Sequence, residues 1–414
     1  MTETADGVRR EFRGWLQGHW DPDLSLLTWR RLLAEARWAA PSWPERWHGR
    51  GLPAWADDVV ASEIQAHGAV GTPMGVGMGL AAPTILAHGP DHLRERFLLP
   101  ILTGEHTWCQ LFSEPGAGSD LAGLTTRAVL DGDTWIVNGQ KVWNTSAHHA
   151  DLGLLAARSD WDVPKHQGIT YLAIPMHQPG VTVRPLRQMN GHASFNEVFF
   201  TDARVPADHV IGEIGGGWAV ARTTLAHERR FGAMRPAPYA DRQGRAVDEA
   251  RAEMAEHFAP YVWYPQRAGR VDLLVERAKA SGRAHDPAVR QEIARVLSLQ
   301  RASAWTAERA RANRAAGREP GPEGSIGKLA LSQVARAAAR AHSLIAGPTG
   351  MLAGPDAPLG GTITEVLLSV PAQSIAGGTD EVQKNIVAER LLGLPREPDL
   401  GIGERPFREL PRNA

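Results

Sequence analysis

The sequence has one cysteine, Cys109, in 414 residues. An internal disulfide is therefore excluded, and so is a thiolate metal cluster, a composition that fits a reducing compartment. Neither sign of charge is in excess: the net charge is −1, so no basic field marks nucleic acid or an anionic membrane as partner. Lysine is scarce as well, the basic residues being almost all arginine apart from Lys141, Lys165, Lys279, Lys328 and Lys384. No apolar run is long enough to span a bilayer without interruption. The one stretch that raises the question, Gly68 to Gly89, is broken by Gly71, Pro73, Gly75, Gly77, Gly79 and Pro83 and bracketed by His67 and His88. Buried helices around a ligand pocket fit it better. The first twelve residues are charged and lack the apolar centre of an export signal, which predicts a cytoplasmic chain. A Walker loop, a Gly-x-Ser-x-Gly elbow and a dinucleotide Gly-x-Gly-x-x-Gly after a strand are all missing, which leaves nicotinamide chemistry and serine hydrolysis without support.

What is present is enough apolar residue, 43%, to build a large interior, in a chain long enough for two or three substructures. The hydrophobic period changes twice. Up to about Leu102 it is helical, with amphipathic segments such as Trp29 to Ala39 and Ala54 to His67. From about Cys109 to Val210 it is strand-like, in short runs at Thr134–Val137, Leu152–Ala156, Ile169–Ile174, Val181–Val183 and Glu197–Phe200 separated by Gly, Pro, Asp and Asn. After Gly215-Gly-Gly217 the helical period returns to about Leu394. The expectation is an α+β chain: a helical domain over 1–108, a β domain over 109–212, a helical bundle over 213–396 and a tail over 397–414.

Two runs carry the chemistry. The first is Trp108-Cys-Gln-Leu-Phe-Ser-Glu-Pro-Gly-Ala-Gly-Ser-Asp-Leu-Ala-Gly123 and the second Lys141-Val-Trp-Asn-Thr-Ser146. Gly116 and Gly118 let the backbone approach a bulky anionic ligand and leave amide donors facing it, and Ser113 and Ser119 add hydroxyls at the same rim. Trp143 offers a flat aromatic face. Thr145, two residues further along a strand, is expected on the same side, within reach of a heteroaromatic ring. The combination suits an isoalloxazine with a pyrophosphate tail. Taken alone, a Pro-Gly-Ala-Gly loop is commonly a turn and a strand Trp commonly core. His148-His149, adjacent on an expected strand, would point to opposite faces and lack zinc spacing, so no metal is read there.

In this order, Ser-Glu-Pro-Gly-Ala-Gly-Ser-Asp and then Trp-x-Thr resemble the acyl-CoA dehydrogenase family, from roughly Leu80 to Leu394 and most strongly in the β domain, where Phe195 to Pro206 adds a further family-like run. Between Phe231 and Gly324 the likeness is weak. That part holds Glu256 to Pro265, rich in Tyr and Trp, a surface excursion or a partner contact. The resemblance implies a helical N-terminal domain, a central β-barrel or sandwich and a C-terminal four-helix bundle. It also implies FAD, held by Gln110, Phe112, Ser113, Gly118, Ser119, Trp143, Asn144, Thr145, Thr379 and Glu381. The family's chemistry removes a proton α to a thioester carbonyl and passes the β hydrogen as hydride to flavin. This needs a carboxylate base, donors for the enolate oxygen and a dry site.

In many members the base stands in a Tyr-Glu-Gly-Thr run, and here the matching run is Ala376-Gly-Gly-Thr379, which puts Gly377 at the base position. A subset, including isovaleryl and long-chain types, places the Glu on the first long C-terminal-domain helix, followed by Arg. Here that site reads Ala226-His-Glu-Arg229. By resemblance Glu228 is then the base, with a pKa raised by an apolar pocket. Gly377 leaves room for it and offers an amide to the thioester oxygen; Ser119, Arg229 and Gly378 meet the substrate. Arg229 reads equally as a positioning charge or as half of an ion pair.

Thr379 opens the last helix, as a plain N-cap, as a contact to the flavin nucleotide, or as both. Two family motifs are altered. The arginine that reaches a neighbouring subunit's FAD is missing, with Ser281-Gly-Arg283 and Arg290-Gln291 as stand-ins, and the Gln-x-x-Gly-Gly-Asn-Gly loop reads Leu344-Ile-Ala-Gly-Pro-Thr-Gly350. Such changes resemble actinobacterial dehydrogenases, some assembled from two different subunits, so a homo-oligomer and a pairing with a sister chain both stand. The Ala-rich face Ala330–Ala341 fits an oligomer contact or internal packing. Further partners implied are an acyl-CoA and an electron-transfer flavoprotein. The alternatives are a same-fold flavin oxidase or monooxygenase on a non-CoA substrate, and a flavin-poor partner subunit.

Overall fold

Caps decide where the first helices begin and end. Thr4 accepts from Gly7 N at 3.2 Å and opens α1 (Ala5–His19); Ser25 accepts from Thr28 N at 3.1 Å and opens α2 (Leu26–Glu35). Gly68, with φ +92°, stops α3 (Trp55–His67), and Gly104 at φ +84° stops α5 (Asp91–Thr103). Between them a π-turn over Gly77–Ala81 runs straight into α4 (Ala82–His88), so only the second half of the Gly/Pro-broken stretch is helical, and it is buried at Leu80, Ala81, Ala82 and Ile85. On α1, Val8, Phe12 and Leu16 recur every four residues and pack with Trp29, Leu33, Val60 and Ile64 of α2 and α3. The computed structural model describes residues 4–231, 242–315, 321–398 and 403–411.

The strands are β1 (Trp108–Leu111), β2 (Arg127–Asp131), β3 (Thr134–Asn144), β4 (Leu152–Arg158), β5 (Ile169–Pro175), β6 (Val181–Leu186) and β7 (Phe195–Pro206). They form one sheet in the order β1-β4-β2-β3-β7-β6, with β5 on the other edge of β4. β1 runs parallel to β4, pairing Gln110 with Leu154, while β2–β3, β3–β7, β6–β7 and β4–β5 are antiparallel. Every residue of β4 is buried, the pattern of a strand covered on both faces. Trp108, Phe112, Leu152, Leu154, Ile169, Tyr171 and Ala173 face the helices, and Cys109, Leu111, Leu155, Leu172 and Ile174 face the inside of the curled sheet. A bulge falls at Gly139, where a Cβ would stand 2.6 Å from Thr126 Oγ1. Only glycine fits there.

Helix α6 (Gly217–Phe231) lies on the sheet's helical face through Val220 and Ala221. Its first residue is pressed so close to β5 that a Cβ on Gly217 would sit 2.8 Å from Ile169 O. Helix α7 (Arg245–Phe258) joins the N-terminal helices: Glu249 accepts from Leu26 N at 2.7 Å, and Glu253 takes both Nη atoms of the buried Arg30 at 2.6 and 3.0 Å. The segment 403–411 returns to the β domain. Phe407 N donates to Val163 O at 2.9 Å and its ring lies 3.6 Å from the guanidinium carbon of the fully buried Arg158. That guanidinium donates to Ala122 O at 2.6 Å, Lys165 O at 3.0 Å and Leu124 O at 3.1 Å. Burial pulls it down to about 10, with nearby carboxylates working the other way.

One compact unit thus contains the chain to Leu186, Ser194–Ala259 and the 403–411 segment; the other contains Arg187–Ala193 and the chain from Pro260 to Asp399. These cuts differ from the changes of period at 108, 212 and 396. The physical reason is that α6, α7 and the returning segment bond to the sheet and to α2, whatever their period.

The second unit is helical: α8 (Tyr264–Arg267), α9 (Leu274–Ala280), α10 (Pro287–Ala315), α11 (Glu323–Ala346), α12 (Thr362–Ser369), α13 (Pro371–Ile375) and α14 (Asp380–Arg390). The Ala-rich face of α11 serves internal packing, with Ala337, Ala338 and Ala341 buried against Leu274, Val289 and Val296. Of the Tyr/Trp-rich stretch, Trp263 is buried and Val262 exposed. No helix among the described residues is long and apolar enough to cross a membrane.

Candidate active site

β1 alternates. Trp108 and Phe112 belong to the face that meets the helices, and Gln110, between them, shares that face as its polar member. On α6 the stripe turned to the sheet is Val220, Ala221, Thr224 and Leu225, and the next position of the same stripe is Glu228. The two meet: Gln110 Nε2 donates to Glu228 Oε2 at 3.2 Å. One turn below, fully buried hydroxyls form a ladder. Thr224 Oγ1 donates to Val220 O at 3.2 Å and stands 2.9 Å from both Tyr171 Oη and Thr84 Oγ1. Burial pushes the Tyr171 phenol above its ordinary value, the bond with Thr224 opposing and the Glu228 carboxylate adding to the rise. Tyr171 therefore stays a protonated donor. Arg229 follows on the α6 backbone, and its side chain lies outside the described residues.

The Ser113–Ser119 turn is stapled from beneath. Glu114 N donates to Ala117 O at 3.0 Å, Ala117 N to Glu114 O at 3.1 Å, and Ser113 O accepts from Val142 N at 2.9 Å. The Glu114 carboxylate receives Lys141 Nζ at 2.8 Å, Thr126 N at 2.8 Å, Thr125 N at 2.7 Å and Thr125 Oγ1 at 2.9 Å. Burial alone would raise its pKa. The Lys141 charge and these donors outweigh it and pull the group down to about 2. Lys141, fully buried, also donates to Phe112 O at 2.9 Å.

At the end of β3 the expected alternation breaks. Trp143 adopts a left-handed backbone, φ +63°, Ser146 another at φ +61°, and the strand stops at Asn144 with a register shift after Lys141. Thr145 therefore lies in a turn, and the period of two that was to put it beside Trp143 does not reach it. The Trp143 indole, 55% exposed, is held edge-on by Phe195 at 5.7 Å. Asn144 Nδ2 donates to Gln110 O at 2.8 Å and Asn196 Nδ2 to Asn144 O at 2.9 Å. His148 and His149 also lie in this turn and not on a strand; their rings touch at 4.6 Å.

In the second unit, Gly377 (φ +68°) and Gly378 (φ +85°) form a left-handed pair before α14. A Cβ on Gly377 would meet open space, and one on Gly378 would sit 2.5 Å from Gln383 Nε2, which donates to Gly377 O at 3.1 Å. Thr379 caps α14, accepting from Val382 N at 3.2 Å. Asp380, buried behind it, pairs with Lys328 at 2.9 Å, and Glu381 is exposed on the first turn. Thr379→Ala is expected to cost about 1 kcal/mol, read as a fall in the urea midpoint; an unchanged midpoint would show the cap to be idle. Arg283 is committed to Leu344 O and, at 2.9 Å, to Asp286, and Gln291 is exposed on α10. Neither contact adds to or removes the stand-in role expected of them.

The N-terminal, middle and C-terminal domain models of acyl-CoA dehydrogenases match residues 5–105, 109–203 and 268–392. The acyl-CoA dehydrogenase IpdE1 of Mycobacterium tuberculosis is 34% identical over 95% of this chain and 99% of its own length. The chain belongs to the acyl-CoA dehydrogenase family. It is thereby an oxidoreductase in a family of flavoproteins. Among solved structures it resembles the ChsE4–ChsE5 complex of Mycobacterium tuberculosis (28% identity, TM-score 0.63, 96% of this chain and 99% of that one). It also resembles the Tcur3481–Tcur3483 steroid acyl-CoA dehydrogenase (26%, TM-score 0.64, 95% and 98%).

The residues present fit the family's flavin. Asn144 Oδ1 and Ser146 Oγ are buried and have no hydrogen-bond partner among the described residues, beside an exposed indole. A Cβ on Gly118 would meet nothing within 4 Å. An unsatisfied buried acceptor and an open glycine rim are what a polar-edged ring with an anionic tail requires. Glu114 and Lys141 escaped the sequence reading as a working pair. The signal was present: a rare lysine inside one motif and a glutamate inside the other. Tyr171 and Thr224 carried no signal, because only the packing of α6 on β5 brings them together. Residues 204–267, which include Glu228, lie between the matched stretches.

Proposed function

We propose that this acyl-CoA dehydrogenase family member converts an acyl-CoA to its 2-enoyl-CoA with Glu228 as general base. The observation that carries the proposal is a carboxylate on the sheet-facing stripe of α6, held by Gln110, which stands between Trp108 of β1 and Phe112 just after it. Trp108, Phe112 and Leu225 supply the apolar neighbours that a proton-accepting carboxylate of this kind needs. Bound FAD supplies the hydride acceptor. Gln110, Phe112, Ser113, Gly118, Ser119, Trp143, Asn144 and Thr145 are proposed to hold it; Thr379 and Glu381 are proposed as contacts to a flavin nucleotide, and Arg283 and Gln291 as contacts to a neighbouring subunit's FAD. Gly377, lacking a side chain and left-handed, offers its N–H to the thioester oxygen, with Gly378, Ser119 and Arg229 as substrate contacts. Electrons leave to an electron-transfer flavoprotein, and the chain works as an oligomer with itself or with a sister chain, as the two-component names of the similar structures suggest.

The test is an anaerobic titration of the flavin-loaded protein with short, branched, long and steroid-type acyl-CoAs. Bleaching of the flavin absorbance by one class names the substrate, and the steroid class comes first because a similar structure is described as a steroid enzyme. Retained flavin that no thioester bleaches would overturn the proposal.

A further inference from the structure

We infer that Gln110 is the positioning residue of the general base, its side-chain amide setting both the orientation and the proton affinity of Glu228. The inference rests on the proposed role of Glu228. A glutamine at this place is otherwise costly. The face that meets α6 is apolar on either side of it, at Trp108 and Phe112, and a half-buried amide that lacked partners there would be destabilising. Its backbone cannot drift, because β1 is paired in parallel with β4 and Gln110 O accepts from Asn144 Nδ2 at 2.8 Å. From that fixed backbone Nε2 reaches Glu228 Oε2 at 3.2 Å. Three consecutive bonds therefore run Asn196 to Asn144 to Gln110 to Glu228, at 2.9, 2.8 and 3.2 Å. One residue joins the base to the Trp143–Thr145 run, so whatever that run holds and the carboxylate keep a common frame.

The choice of residue also matters chemically. An ionised carboxylate only accepts hydrogen bonds and accepts them more strongly than a protonated carboxyl, so a donated amide N–H favours the charged form. A lysine or arginine there would favour the charged form far more and leave a feeble base; a leucine would withdraw the amide donor. The neutral amide holds the middle ground. Charged or titratable groups along this part of α6 include Tyr171 of β5, His227 and Arg229 on α6 itself and, further back beside Thr223, His88 of α4. Of these, His88 bonds to Thr223 at 2.8 Å, and Tyr171 is held protonated by burial.

The experiment follows the Glu228 carboxyl by infrared difference titration, wild type against Glu228→Gln, in Gln110→Leu and Gln110→Glu. It is paired with the pH dependence of flavin reduction in the loaded protein. Gln110→Leu is expected to raise the carboxyl midpoint by about one unit, the scale of one hydrogen bond to a charged group. The acid limb of the rate profile should move up with it. Gln110→Glu, which sets a like charge beside the base, is expected to move both further. A residue that merely fills space would lower flavin retention or amplitude and leave both midpoints where they are. Midpoints unmoved in both variants, with Glu228→Gln inactive, would overturn the role of Gln110 alone. A Glu228→Gln enzyme as fast as wild type would overturn the base, and this inference with it.

Discussion

Glu228→Gln is expected to reduce flavin at least 10²- to 10⁴-fold more slowly than wild type, the range that a positioned general base supplies. The substitution keeps volume and polarity, and Gln110 can still bond to the new amide oxygen, so neither the packing of α6 nor flavin retention should change. That separation makes the result interpretable. The variant cannot accept a proton, and the hydroxyls of Thr224 on the same helix and Tyr171 on β5 do not replace it: Thr224 donates to Val220 O, and Tyr171 is pushed towards its protonated form. The check is stopped-flow flavin bleaching with the acyl-CoA that the wild type accepts, with the bound flavin spectrum as control. An unaltered rate would remove Glu228 from the chemistry.

The second large effect is on stability. Lys141→Met is expected to cost about 3–5 kcal/mol, because it leaves a buried carboxylate without its counter-charge. Glu114 would keep its bonds to Thr125 and Thr126 but lose its only ion-pair partner among the described residues. The turn it braces, Ser113 to Ser119, would lose the Lys141 anchor to β3 and keep the bond from Val142 N to Ser113 O, and flavin retention should fall together with the denaturant midpoint. In the wild type the sign with pH is fixed by Glu114. Its folded-state value lies below the ordinary one of 4.5, near 2. The stabilisation is therefore fully present above pH 4.5 and is lost as the pH falls through about 2. A midpoint shift under 1 kcal/mol in Lys141→Met would show that the pair contributes little.

Much of this was legible in the sequence. The short β-rich runs at Ile169–Ile174 and Glu197–Phe200, the period near four in the first helices and the turn residues between them are local signals, and the strands and helices stand where they indicate. β2 was missed because Arg127, Val129 and Leu130 are exposed and show no buried alternation. The meeting of Gln110 with Glu228 could not be read at all: it spans more than a hundred residues and depends on a helix starting hard against β5 at Gly217. The left-handed turn at Trp143 was hidden for another reason. A non-glycine residue adopts that backbone only when its surroundings impose it, and here the bonds through Asn144 and Asn196 do so.

The return of the 403–411 segment bears on how the polypeptide is made. Arg158 and Phe407 are separated in sequence by the entire helical unit, yet the ring of one covers the guanidinium of the other. During synthesis the β domain emerges well before Phe407 leaves the ribosome, so it must wait with the Arg158 guanidinium lacking its covering ring. A nascent chain arrested between the two would carry the strands without the group that covers Arg158. The order of translation thus separates forming the sheet from sealing it.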